Sequence, residues 1–96
     1  MAGSAIGLIE TKGLLGAIVA LDAALKAAQV RLVSFSAVRG GRINFVLGGE
    51  VAAVTSAVDA GCEILKKLGC LRGRHVIPRP AEDVERMLRE SALKPR

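Results

Sequence analysis

A chain of 96 residues makes one domain, and alone it buries only about two thirds of the surface that its unfolded form exposes. Apolar residues make up 51% but aromatics only 2%, so there is more Ala, Val, Leu and Ile than one small core hides, and copies of the chain are expected to cover the excess. The net charge of +5 raises nucleic acid as a partner, but the cations are dispersed and two Phe are few to stack on bases; no apolar run nears the ~20 residues of a membrane span, so neither nucleic acid nor membrane is expected.

Met1-Ala-Gly-Ser has neither the basic nor the apolar region of a secretory signal. A first strand is predicted over Ala5 to Glu10, broken by Glu10-Thr11-Lys12-Gly13. A helix over Leu14 to Ala28 follows. Leu14, Ile18, Leu21 and Leu25 recur at helical spacing and form the expected apolar stripe. Ala17, Ala20, Ala24 and Ala27 form a second face of small residues, and both faces are expected to be covered. Val30 to Val38 reads as a second strand, with Val33, Phe35 and Ala37 alternating against Ser34 and Ser36. Gly40-Gly41 is a hairpin turn, because glycine reaches positive φ without steric cost. Arg42 to Leu47 is the third strand.

Gly48-Gly49-Glu50 opens a second helix over Glu50 to Leu68, with a buried stripe of Val51, Val54, Val58, Cys62, Leu65 and Leu68. Gly69 fits a helix C-cap, and Lys66 and Lys67 in the last turn suit the helix dipole. Arg72 to Ile77 is the fourth strand, stopped by Pro78-Arg79-Pro80. Pro80 suits the first position of a closing helix, with Ser91 to Arg96 as a frayed tail. The fold class is therefore α+β. The order predicts a ferredoxin-like split βαβ, a four-stranded antiparallel sheet with two main helices on one face and a short C-terminal helix.

Chemistry is sparse. No nucleophile, base and orienting group form a recognisable set, so no catalytic residue is expected. Cys62 and Cys70 read as reduced, mostly buried thiols, and with His75 they are too few for a zinc site, so no metal is expected. His75 itself is expected to be packed or half-buried. Gly48-Gly49-Glu50 lacks the spacing and the lysine of a phosphate loop.

Three segments carry a resemblance: Ala5-Ile-Gly-Leu-Ile-Glu-Thr-Lys-Gly13, the turn Val38-Arg39-Gly40-Gly41-Arg42, and His75-Val-Ile-Pro-Arg-Pro80. In these the chain resembles the single-domain shell proteins of bacterial microcompartments, over Ser4 to Leu88 without gaps. The resemblance implies one shell domain over residues 4–90 with a tail over 91–96, and a structural role rather than catalysis. It implies a homohexameric tile with a central pore, packed edge to edge into facets of a compartment shell within the cytoplasm. Implied partners are neighbouring hexamers, other shell proteins, metabolites in the pore and cargo targeting peptides.

By the same resemblance Lys26 lies along the tile edge, with Gln29 where the family often has Asn. Arg79 reaches across that edge to the neighbour's backbone near Lys26. Its five fixed donors suit carbonyl recognition, and its proline neighbours keep the backbone rigid. Val38, Arg39, Gly40, Gly41 and Arg42 line the pore. Gly40 stands at the pore-lining small residue and Gly41 at the following glycine, while Arg39 and Arg42 depart from the family pattern. Rings of arginine at a pore select anions, so small anionic or polar metabolites are the expected traffic. Arginines turned away from the axis toward a neighbouring subunit are the equal alternative. Some family members hold an iron–sulfur cluster through pore-loop cysteines; neither cysteine is in that loop here, so no cofactor is expected. Two other classes stay open: an oligomeric ferredoxin-like regulatory module that binds a small molecule, and a basic nucleic-acid-binding domain.

Overall fold

The computed structural model describes residues 4–93. Its elements are β1 (Ala5–Lys12), α1 (Leu14–Ala27), β2 (Arg31–Val38), β3 (Arg42–Gly49), α2 (Val51–Leu68), β4 (Leu71–Ile77) and α3 (Glu82–Leu93). The strands form one antiparallel sheet in the order β2-β3-β1-β4. This is the predicted split βαβ, with β1 and β3 central and β2 and β4 at the edges.

Alternation along β1 divides the sheet into two faces. Ala5, Ile9 and Thr11 are buried on the helical side. A Cβ added at Gly7 would come within 2.5 Å of Val58 and 2.7 Å of Val54, so α2 lies directly over that glycine. Ile9, Phe45 and Leu47 pack with Val54, Val58, Cys62 and Leu65 of α2 and with Ala20 and Ala24 of α1. Phe35 of β2 stacks on Phe45 at 6.2 Å, joining an edge strand to this core. Thr11 is fully buried and satisfied, since its hydroxyl donates to the carbonyl of Cys70 at 3.1 Å. Ile6, Leu8, Glu10 and Lys12 alternate onto the opposite face, where α3 packs along β2.

Both faces of helix α1 were expected to be covered, but within the chain only the small one is. Its buried residues are Gly16, Ala17, Ala20 and Ala24, while Leu14 is 59% and Ile18 50% exposed and Leu25 is exposed as well. Only Leu21 of the leucine–isoleucine stripe packs against the core. Ala27, expected on the small face, is exposed. The reason is the distance to α2. A Cβ at Gly61 would lie 3.1 Å from the backbone oxygen of Ala20, so the helices touch backbone to backbone there and α1 can present only small side chains to α2.

The α2 stripe is buried at its centre, but its ends Val51 and Leu68 overhang and are exposed. The helix stops as Gly69 predicts. Gly69 has φ 72°, its N–H reaches the carbonyl of Lys66, and the N–H of Cys70 reaches that of Leu65 at 2.9 Å.

Several boundaries differ from the sequence reading, and one end each of α1, β2 and α2 shifts by a residue. β3 continues through Gly48 and Gly49, which were expected to open α2 but pair with Ile6 and Ala5 of β1. β1 continues through Thr11 and Lys12, which pair with Ile43 and Arg42 of β3. β4 begins one residue earlier, at Leu71. Pro80 lies outside α3, which starts at Glu82 with Ala81 accepting its first bonds. α3 also runs to Leu93, past the point where the tail was expected. His75 is exposed rather than packed, because it pairs with Leu8 and faces away from α1 and α2, at the sheet edge opposite the one that α3 covers.

Adding a methyl group at Gly7 should force the two valines of α2 apart. Gly7→Ala is expected to lower stability by about 1–3 kcal/mol, the usual cost of overpacking, measured by denaturant titration.

Candidate pore turn and assembly edge

The β2–β3 connection is a tight turn over Arg39–Gly41. Gly40 at φ 79° and Gly41 at φ 76° both occupy the left-handed region, which reverses the chain sharply and brings Val38 and Arg42 into register. All five residues from Val38 to Arg42 are exposed. The turn is tied down from outside by one bond, in which the N–H of Gly13 donates to the carbonyl of Gly41 at 2.7 Å. Gly13 immediately precedes α1 and also has positive φ.

The two arginines of this turn are in different situations. Arg42 Nη1 donates to Glu10 Oε2 at 3.1 Å. Glu10 pairs with Asn44 in the β1–β3 ladder and Lys12 pairs with Arg42, so Arg42 meets Glu10 along a diagonal of the outer sheet face. Arg39 is exposed and forms no ion pair or hydrogen bond among the described residues. The partnership of Glu10 with Arg42 was invisible in sequence order, since the residues are 32 apart. Strand pairing alone brings them together.

The expected edge residues lie elsewhere. Lys26 is in the last turn of α1, where its charge suits the helix dipole. Its ammonium contacts Asp22 Oδ2 one turn earlier at 2.9 Å, an exposed pair of small energetic worth. Gln29 is exposed just beyond the helix. Arg79 is exposed in the β4–α3 connection and has no partner among the described residues. Lys26, Gln29 and Arg79 make no contact with one another by hydrogen bond or ion pair, nor with the turn at Arg39–Gly41.

Helix α1 links the two regions. Its N-terminus is bonded to the turn through Gly13 and its C-terminus carries Lys26. Fourteen residues at 1.5 Å each separate them by about 20 Å. Along that span Leu14, Leu15, Ile18 and Val19 project from the molecule, Leu15 with 79% of its surface exposed. Leu15 and Val19 were not singled out from the sequence. Their signal was the contrast between a small face and a large one on the same helix, of which the chain itself covers only the small one.

Elsewhere the chemistry is structural. Burial pushes the Cys62 thiol up from its ordinary range, against the opposing pull of Arg74 and Lys66, so it stays a neutral thiol. Arg74 is paired with Asp59 of α2. Among the described residues, no group of three or more His, Cys, Asp or Glu is arranged to hold a metal ion. No helix of the structure is long and apolar enough to cross a membrane.

Comparison with known proteins gives a consistent result. The BMC domain family matches residues 5–80. The chain is 43% identical over 88 residues to the bacterial microcompartment shell protein PduA of Citrobacter freundii, covering 92% of this chain and 95% of that protein. It is 47% identical over 87 residues to the carboxysome shell protein CsoS1A of Hydrogenovibrio crunogenus, covering 90% and 91%. A crystal structure of a microcompartments protein from Desulfitobacterium hafniense DCB superposes with a TM-score of 0.83 at 34% identity over 99% of this chain. The present chain spans about half of that one, 51% of its length.

The apolar ridge of α1 predicts a specific outcome. Leu15→Arg should leave the single chain folded, since that side chain is mostly in solvent, but should reduce the mass of the assembled species in light scattering.

Proposed function

The chain belongs to the BMC domain family, and we propose that its copies close into a cyclic hexameric tile of a bacterial microcompartment shell. It is a structural shell protein, located in the compartment shell within the cytoplasm. We read no catalytic role in it. The finer reading assigns Val38, Arg39, Gly40, Gly41 and Arg42 to the pore, and Lys26, Gln29 and Arg79 to the edge where tiles meet.

The observation that carries this reading is the geometry of α1. One end holds the candidate pore turn, the other holds the candidate edge lysine, and the ridge between them is apolar and uncovered. A wedge of this kind needs a neighbour along its flank. Each half-exposed Leu or Ile covered by a partner contributes roughly 1 kcal/mol, so the ridge as a whole favours association. The molecule is also flat, with extents of 35 × 31 × 18 Å, as a tile segment requires.

At the edge, Arg79 is a cation without a partner among the described residues, fixed between Pro78 and Pro80. Rigid flanks reduce the entropy lost when it docks. The stem of Lys26 supplies packing area while its ammonium stays in water. Tiles joined in this way form facets with other shell proteins, and cargo targeting peptides are further candidate partners. Small polar or anionic metabolites cross through the pore. The domain of this reading spans residues 4–90; the expected tail lies partly in α3, and residues 94–96 are outside the described part of the chain.

The test is light scattering followed by electron microscopy of concentrated protein. The wild type is expected to be a hexamer that lays down sheets or tubes. Arg79→Ala is expected to remain hexameric and lose those assemblies. A wild type that stays monomeric or dimeric, with no assemblies, refutes the tile reading.

A further inference from the structure

We infer that Arg39 sets an anion preference at the pore, and that Glu10 withdraws Arg42 from that task by neutralising it. The inference rests on the reading above, in which the β2–β3 turns of the copies converge on one axis. It goes beyond that reading by separating two arginines that sequence alone leaves equivalent.

Three observations carry it. Arg42 is held at 3.1 Å by Glu10, which reaches it diagonally across the β1–β3 ladder. Lys12 is directly opposite Arg42 in the same ladder. A like charge at that position repels the guanidinium and favours its turn toward the carboxylate. Arg39 stands at the start of the turn itself, exposed and without a partner among the described residues.

The Glu10–Arg42 pair is solvent-exposed and therefore weak in isolation. Symmetry strengthens the bias. An Arg42 pointing to the axis faces its own copies, whereas an Arg42 on Glu10 exchanges that repulsion for attraction. Of the two arginines of the turn, each subunit then presents only Arg39 uncompensated. The turn is held rigid by the bond from Gly13 to Gly41, so the position of Arg39 repeats faithfully around the ring. A ring of uncompensated guanidinium groups takes small anions, inorganic or carboxylate, and raises the barrier to cations.

The test is the reversal potential of tiles in a planar bilayer under a potassium chloride gradient, with light scattering on each protein. The wild type is expected to pass chloride in preference to potassium. Arg39→Gln should lower the chloride-to-potassium permeability ratio by about threefold or more, and Glu10→Gln, which frees Arg42, should raise it about twofold or more. An unchanged ratio in Arg39→Gln overturns the assignment of Arg39. An unchanged or lowered ratio in hexameric Glu10→Gln overturns the tether. A wild type that forms no hexamer refutes the tile reading itself, which separates that failure from a hexamer whose variants do not follow the predicted order.

Discussion

Helix α1 lies close to α2 because small residues line both sides of the contact. Gly16, Ala17, Ala20 and Ala24 form one wall, and Gly61 faces the backbone of Ala20 from the other. Where Gly61 crosses Ala20 there is no room for a longer side chain on α1, and Leu65 of α2 fits because it meets Gly16. The large residues of α1 are therefore driven to the opposite flank, where Leu14, Leu15, Ile18 and Val19 stand in solvent. A monomer gains nothing from that arrangement, since exposed apolar surface carries an unfavourable hydration cost. An assembly gains a continuous contact strip. One packing constraint thus sets both the interior of the subunit and the character of its flank.

The same helix determines where the polar features fall. Its first N–H groups lie beside the β2–β3 turn because Gly13 donates to Gly41. Its last turn ends at Lys26, with a C-terminal dipole that a cation complements. The sheet contributes the other half of the design. Strand pairing sets Glu10 diagonally opposite Arg42, and the edge position of β4 leaves His75 and the following Pro78-Arg79-Pro80 segment open to solvent.

Much of this was legible in the sequence. The element order, the αL cap at Gly69, the glycine turn at Gly40-Gly41 and the centre of the α2 stripe all follow from local chemistry, and the structure agrees. What local chemistry left open was orientation. Periodicity gives α1 two apolar faces and says that each is continuous; it does not say which one meets α2. That choice depends on Gly61, some forty residues later in the chain. The extent of β1 failed for a similar reason. Thr11 and Lys12 read as a turn, but Thr11 has a buried acceptor in the carbonyl of Cys70 and Lys12 a partner strand in β3. His75 was misjudged because α3 covers the outer face at β2, the opposite edge of the sheet, and leaves that of β4 open. Candidate pore and edge residues were readable as positions, whereas the pairing of Arg42 with Glu10 needed the register of the sheet.

The link from α1 to the glycine turn has a consequence for how shells of this kind can vary. If the helix runs from centre to rim, it acts as a ruler. Its length cannot be adjusted continuously. Each inserted residue adds 1.5 Å but also rotates everything beyond it by about 100°, which would swing the leucine ridge off its neighbour. Only insertions near whole turns keep the flank in phase. Tile radius would therefore be quantised, and evolution would find it easier to change what an aperture selects than how wide the tile is.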